Sequence, residues 1–243
     1  MLDTLIKSAW NAYQALKSSS FVVKDAVPIL WFGDSQSYAA SQRRIVTVGL
    51  NPSNMEFQDG THSGTGVRFP KALPLVGQPT LSPTDIATYA AAMDDYFNRN
   101  PFWRWFTQYN KILNLLNASY NGKQGAHTAV HIDVYTPIAT NPTWGGLPQS
   151  IRKSLYDPTL FTNLLSALEP DIILISANST IVESLFGSTG WTTFKPSSPK
   201  KRAYVKTKQC DGQLIIWGYN MMGTPFGGMK DAELQQIFSR IKV

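Results

Sequence analysis

The sequence predicts an α/β protein, a three-layer α/β/α sandwich with a mainly parallel central sheet. Three observations predict it. Short apolar runs at 44–50, 171–176 and 214–217, the first two with the make-up of buried strands and 171–176 typical of a strand covered on both faces, and a further strand at 130–135 supply the sheet. Between them lie segments whose apolar residues recur at helical spacing. Irregular stretches rich in Gly, Pro, Ser and Asn follow three of the strands, and sheets of this kind bind ligands beyond their carboxyl ends.

The elements follow in order. Leu2, Leu5, Ile6, Trp10, Tyr13 and Leu16 mark an amphipathic helix over 2–17. A short apolar run, Pro28 to Phe32, ends in a Gly33-Asp34 turn. The run 44–50 reads as a central strand closed by Asn51-Pro52-Ser53, and 55–81 follows without clear periodicity. Structureless stretches of that length inside a compact domain are usually functional or disordered, and this one directly follows a central strand. Ser82-Pro83-Thr84-Asp85 supplies an N-cap, a first-turn proline and an early acid ahead of Ile86, Tyr89, Met93 and Tyr96. A second helix is expected over 101–117 and a strand over 130–135, followed by an irregular stretch over 136–147. Helix 159–168, strand 171–176, helix 178–186, strand 214–217, an irregular stretch over 219–229 and helix 230–241 complete the chain. No internal repeat or low-complexity tract is present.

Composition narrows the function classes. At 243 residues and 43% hydrophobic content, one domain spanning 1–243 with a continuous core is expected. No apolar run flanked by Lys or Arg marks a signal peptide or a membrane span, so a cytoplasmic protein with no membrane partner is expected. Cys210 is the single cysteine, which excludes an internal disulfide and argues against a structural zinc or iron–sulfur site. Neither a metal nor a cofactor is expected. A formal charge of +6 and a pI near 9.3 favour a polyanionic partner.

The residues that carry chemistry begin with Gly49-Leu50-Asn51-Pro52-Ser53, set where a buried strand ends. This segment resembles motif A of the uracil-DNA glycosylase superfamily, in the G-x-N-P branch of the mismatch-specific and single-strand-selective enzymes. Further landmarks fall in the family's order across residues 28–241. The resemblance implies an aromatic that stacks on the flipped base at Phe69, and a base-reading side chain on the strand holding Asp133. It also implies a loop that pinches the phosphate backbone at Asn220, Gly223, Thr224, Pro225 and Phe226. Gly49, Leu50, Pro52, Trp144 and Asn220 would line the base pocket, and Ser53 would touch the DNA. There are two departures. The phosphate-pinching loop lacks the histidine of some members, and Asp133 stands where uracil enzymes carry Asn. An ionised Asp only accepts hydrogen bonds, which suits the exocyclic amine of cytosine; Asp133 can equally cap or pair at a strand end.

Breaking an N-glycosidic bond develops positive charge on the sugar and negative charge on the departing base. Asn51 is the candidate for orienting the attacking water, with Glu56 or Asp59 as an assisting carboxylate and His62 nearby. The stretch Lys195 to Arg202, with Lys200, Lys201 and Arg202 at its centre and Lys206 and Lys208 beyond, offers phosphate contacts. Trp103, Trp105 and Phe106 are read as helix core rather than as a stacking surface. The resemblance therefore implies a monofunctional, monomeric DNA glycosylase with DNA as partner and no obligate protein partner. Asp133 and the glycine-rich 60–66 loop lean toward a modified cytosine, such as the glucosylated hydroxymethylcytosine that antiphage members of the superfamily remove. The alternatives are a repair enzyme for uracil or mismatched thymine, and a non-catalytic DNA-binding module.

Overall fold

The structure, a computed structural model, describes residues 1–122, 124–197, 203–219 and 224–242. In chain order it forms α1 (Leu2–Leu16), α2 (Ser35–Ala39), β1 (Ile45–Gly49), α3 (Pro83–Asp94), α4 (Trp103–Leu115), β2 (Ala118–Ser119) and β3 (His127–Asp133). Then come α5 (Gln149–Leu155), α6 (Pro158–Leu168), β4 (Ile172–Ser176), α7 (Ser179–Phe186), β5 (Thr192–Phe194), β6 (Val205–Cys210), β7 (Gln213–Gly218) and α8 (Asp231–Phe238). The expected α/β class holds: a seven-stranded, mainly parallel sheet flanked by helices, compatible with the three-layer arrangement. Among the described residues no helix is long and apolar enough to cross a membrane.

The chain divides into two compact units, each assembled from three stretches. The first comprises Met1–Ser35, Leu50–Phe102 and His131–Glu169, and the second Gln36–Gly49, Trp103–Val130 and Pro170–Val243.

The sheet runs in the order β2-β3-β1-β4-β7-β6-β5, and all of it but the last three residues of β3, His131 to Asp133, falls in the second unit. β1 and β4 pair in parallel from Ile45 opposite Ile172 to Val48 opposite Ile175, and every residue of both strands is buried. Their high Val and Ile content follows from cover on both faces. The one polar residue of β1, Thr47, is satisfied by the Tyr120 hydroxyl at 2.7 Å. β7 lies parallel to β4, whereas β5, β6 and β7 run antiparallel to their neighbours within this edge. β6 alternates buried with more exposed positions, as an edge strand wet on one face should. It joins β7 through Asp211 and Gly212, at φ 50° and 82°, the left-handed pair that a two-residue hairpin requires. At the other end of β7 a side chain on Gly218 would lie 2.1 Å from Cδ1 of the buried Phe226 ring, so only glycine fits there.

The first unit is helical, with an aromatic core. Trp10, Tyr13, Trp31 and Tyr89 meet at centroid distances of 5.7–6.5 Å. The Tyr89 hydroxyl donates to the Pro28 carbonyl at 2.9 Å and accepts from the Leu30 amide at 3.0 Å, and the Trp31 indole donates to Asp94 at 2.9 Å. The apolar run 28–32 is thus held against α3. α3 starts on the expected capping box between Ser82 and Asp85, but it ends at Asp94. Tyr96 therefore belongs to a separate 3-10 turn, Tyr96–Asn98, and not to the helix predicted to contain it.

Candidate functional site

Beyond Gly49, the buried last residue of β1, the chain is stitched to the segment that follows β3. The Leu50 carbonyl accepts from the Tyr135 amide at 2.9 Å, the Pro52 carbonyl from the Thr140 amide at 3.2 Å, and the Thr140 carbonyl from the Asn54 amide at 3.1 Å. Asn51 sits inside this stitching, half-buried. Its amide nitrogen donates to the Pro52 carbonyl at 2.7 Å and to the Thr140 hydroxyl at 3.0 Å. A carbonyl oxygen can only accept, so the nitrogen must be the atom that faces it. Oδ1 is left as the acceptor, with no hydrogen-bond partner among the described residues. Ser53 uses its hydroxyl to accept from the Met55 amide at 3.2 Å, capping the 3-10 turn Asn54–Phe57.

That turn carries Glu56 into the interior. Tyr96 donates to Glu56 Oε2 at 2.6 Å and accepts from the Phe102 amide at 2.9 Å. Arg68 Nε lies 3.8 Å from the same carboxylate oxygen, and the two ends of its guanidinium donate to the carbonyls of Asn100, Met55 and Gln58. Burial pushes the Glu56 carboxyl up to about 7; the Tyr96 hydrogen bond and the Arg68 charge pull against that shift, and the nearby Asp133 charge adds to it. Burial and the Glu56 charge push the Tyr96 phenol up, so it stays a donor. Asp59 is different. It is exposed, and hydrogen bonds from the His62 amide at 2.8 Å and the Thr61 amide at 2.9 Å hold its carboxyl below the usual range. Its carboxylate shapes a turn, and it is a weak base.

The residues expected around a base have distinct surroundings. The Phe69 ring is fully buried between Tyr96 at 5.3 Å, Phe57 at 5.8 Å and Phe32 at 6.2 Å. Asp133 ends β3 with its side chain nearly buried, 3.7 Å from Nε2 of His131. It borders a cavity of about 10 Å³, room for a water and not for a base. Trp144 stacks face to face on Tyr135 at 4.1 Å and belongs to an apolar cluster with Tyr13, Val22 and Leu147, so it is a packing residue here. A larger cleft of about 590 Å³ opens along the glycine-rich loop, where Asp25, Asp59, His62, Ser63 and Thr65 face Leu73.

The remaining candidates belong to the second unit. Thr224 is exposed, but Pro225 and Phe226 are buried. Phe226 packs on Tyr109 at 5.9 Å, and its amide donates to the Ser176 hydroxyl at 3.0 Å, which makes it a core residue. Asn220, Gly223, Lys200, Lys201 and Arg202 lie outside the described residues. Lys206 and Lys208 lie on β6. Lys206 Nζ sits 4.8 Å over the Trp217 ring, and Lys208 donates to the Phe186 carbonyl at the end of α7. On α4, Phe106 is core as expected, whereas Trp103 is 43% exposed.

The structure brings Asn51, Glu56, Phe69 and Asp133 into the first unit, and it adds Arg68, Tyr96, His131 and Thr140, which the sequence reading did not single out. Among the described residues no three His, Cys, Asp or Glu side chains gather as a metal site. No known protein family matches the chain, and no curated protein matches it in sequence.

Proposed function

We propose that the chain is a DNA glycosylase that flips a modified cytosine, such as glucosylated hydroxymethylcytosine in phage DNA, and hydrolyses its N-glycosidic bond in antiphage defence. The observation that carries this reading is Asn51, whose amide nitrogen is fully engaged and whose oxygen, without a partner among the described residues, can accept from a water. A water held this way attacks C1′ of the sugar, the N-glycosidic bond breaks, and the bonding electrons leave with the base. Of the two carboxylates, Glu56 suits the role of proton acceptor, since it titrates near 7 while Asp59 is held low. Asp133 supports a cytosine over a uracil, and the cleft beside the glycine-rich loop supports a bulky substituent. The reading further holds that the protein acts on DNA as a cytoplasmic monomer.

The enclosed Phe69 and the water-sized cavity at Asp133 mean that side chains must move to admit a base. The same observation favours the rival, a DNA-binding module without chemistry. Incubating the protein with duplexes that differ in one base, followed by alkali, separates these readings. The bases are uracil, thymine opposite guanine, cytosine, hydroxymethylcytosine and glucosylated hydroxymethylcytosine. Strand breaks at the modified cytosines are expected, and N51A should lower them by about 10² while DNA affinity stays within a few-fold. Efficient release of plain uracil restores the repair reading, and binding without release from any duplex supports the rival.

A further inference from the structure

We propose that Thr140 is a positioning residue, which anchors the Asn51 carboxamide in the place where Oδ1 is its open acceptor among the described residues; this rests on the proposed role of Asn51. Thr140 is fully buried, and its backbone is held from both sides of the motif by the Pro52 carbonyl and the Asn54 amide. It also forms single β-bridges to Val22 and Ser53. Its Oγ1 therefore cannot drift away from Asn51 Nδ2, 3.0 Å distant. Turning the carboxamide over would set Oδ1 2.7 Å from the Pro52 carbonyl oxygen, two acceptors with no proton between them, so the Pro52 carbonyl decides which end faces in and the Thr140 hydroxyl anchors the amide there. The branched Thr side chain, stiff at χ1, adds a rotational lock that Ser would lack. Thr140 touches neither water nor base in this scheme; it acts through Asn51.

The test follows the Asn51 side-chain amide by NMR, assigned by its loss in N51A, in wild type, T140S and T140V, alongside single-turnover base release. Solvent exchange of the Asn51 amide protons should be about tenfold slower than for a free side-chain amide in wild type, should rise about tenfold in T140V, and should be largely restored in T140S. Base release should fall about tenfold in T140V with DNA affinity unchanged, and recover most of the way in T140S. Unchanged exchange in T140V overturns the proposal, as does faster exchange with full activity. If T140V does not fold, the wild-type rate decides, and exchange as fast as a free amide overturns the proposal. If wild type releases no base from any duplex, the glycosylase reading fails while the exchange data still decide the clamp.

Discussion

Replacing Glu56 by Gln isolates the buried carboxyl, because Gln keeps the shape and removes the titration. In the folded protein the carboxyl is raised from 4.5 to about 7, and at about 1.36 kcal/mol per unit the proton's binding energy differs between folded and unfolded chains by about 3 kcal/mol. The sign follows from where the proton is held more tightly. The folded chain keeps it up to about pH 7 and the unfolded chain only to about pH 4.5, so this stabilisation is complete below about 4.5 and lost as pH rises through about 7. Urea unfolding of wild type and Glu56→Gln at pH values from about 4 to 8.5 measures it. The variant's stability relative to wild type should rise by about 3 kcal/mol across that range, about 10 °C in melting temperature for a chain of this size. Parallel curves would refute the argument and mean that Tyr96 and Arg68 offset burial completely.

Three further outcomes test other parts of the molecule. Gly218→Ala should cost about 2–3 kcal/mol, since its methyl would meet the Phe226 ring at 2.1 Å, and thermal melting reads this directly. On the proposed function, Asp133→Asn, which exchanges an acceptor-only carboxylate for an amide, should shift release toward uracil over modified cytosine by about tenfold; an unchanged ratio removes Asp133 from base reading. Neutralising Lys200, Lys201 and Arg202 together should flatten the dependence of log K on log salt by about one per lost phosphate contact. A constant slope places that stretch away from DNA.

Most of the fold was legible because buried parallel strands announce themselves: β1, β4 and β7 are short, mostly apolar runs, and α3, α6 and α7 carry side-chain caps at Ser82, Asp157 and Asn178. β2 and β5, at two and three residues, are too short to show a period. β6 was hidden by its charge, since Lys206 and Lys208 read as part of a basic loop, although Asp211-Gly212 is a strong hairpin signal. The site was legible only where chemistry sits in a local motif. Asn51 and Glu56 stand close to the strand end that marks them. Thr140 and Tyr96 gain their roles from contacts across 89 and 40 residues of chain, which no local pattern encodes. Phe69 and Trp144 were recognisable as aromatics beside loops, but nothing local told how completely other rings would enclose them.

The 89-residue span between Asn51 and Thr140 also bears on the order in which the chain becomes competent. Synthesis proceeds from the amino terminus, so Asn51 leaves the ribosome long before the residue that holds its side chain. Until Thr140 follows, Asn51 lacks the hydroxyl that accepts from its amide, and Pro52 and Asn54 lack the backbone partners that tie them in place. Long-range closures of this kind are slow to form. On the proposed function, a nascent chain acquires the ordered motif only once Thr140 has been added.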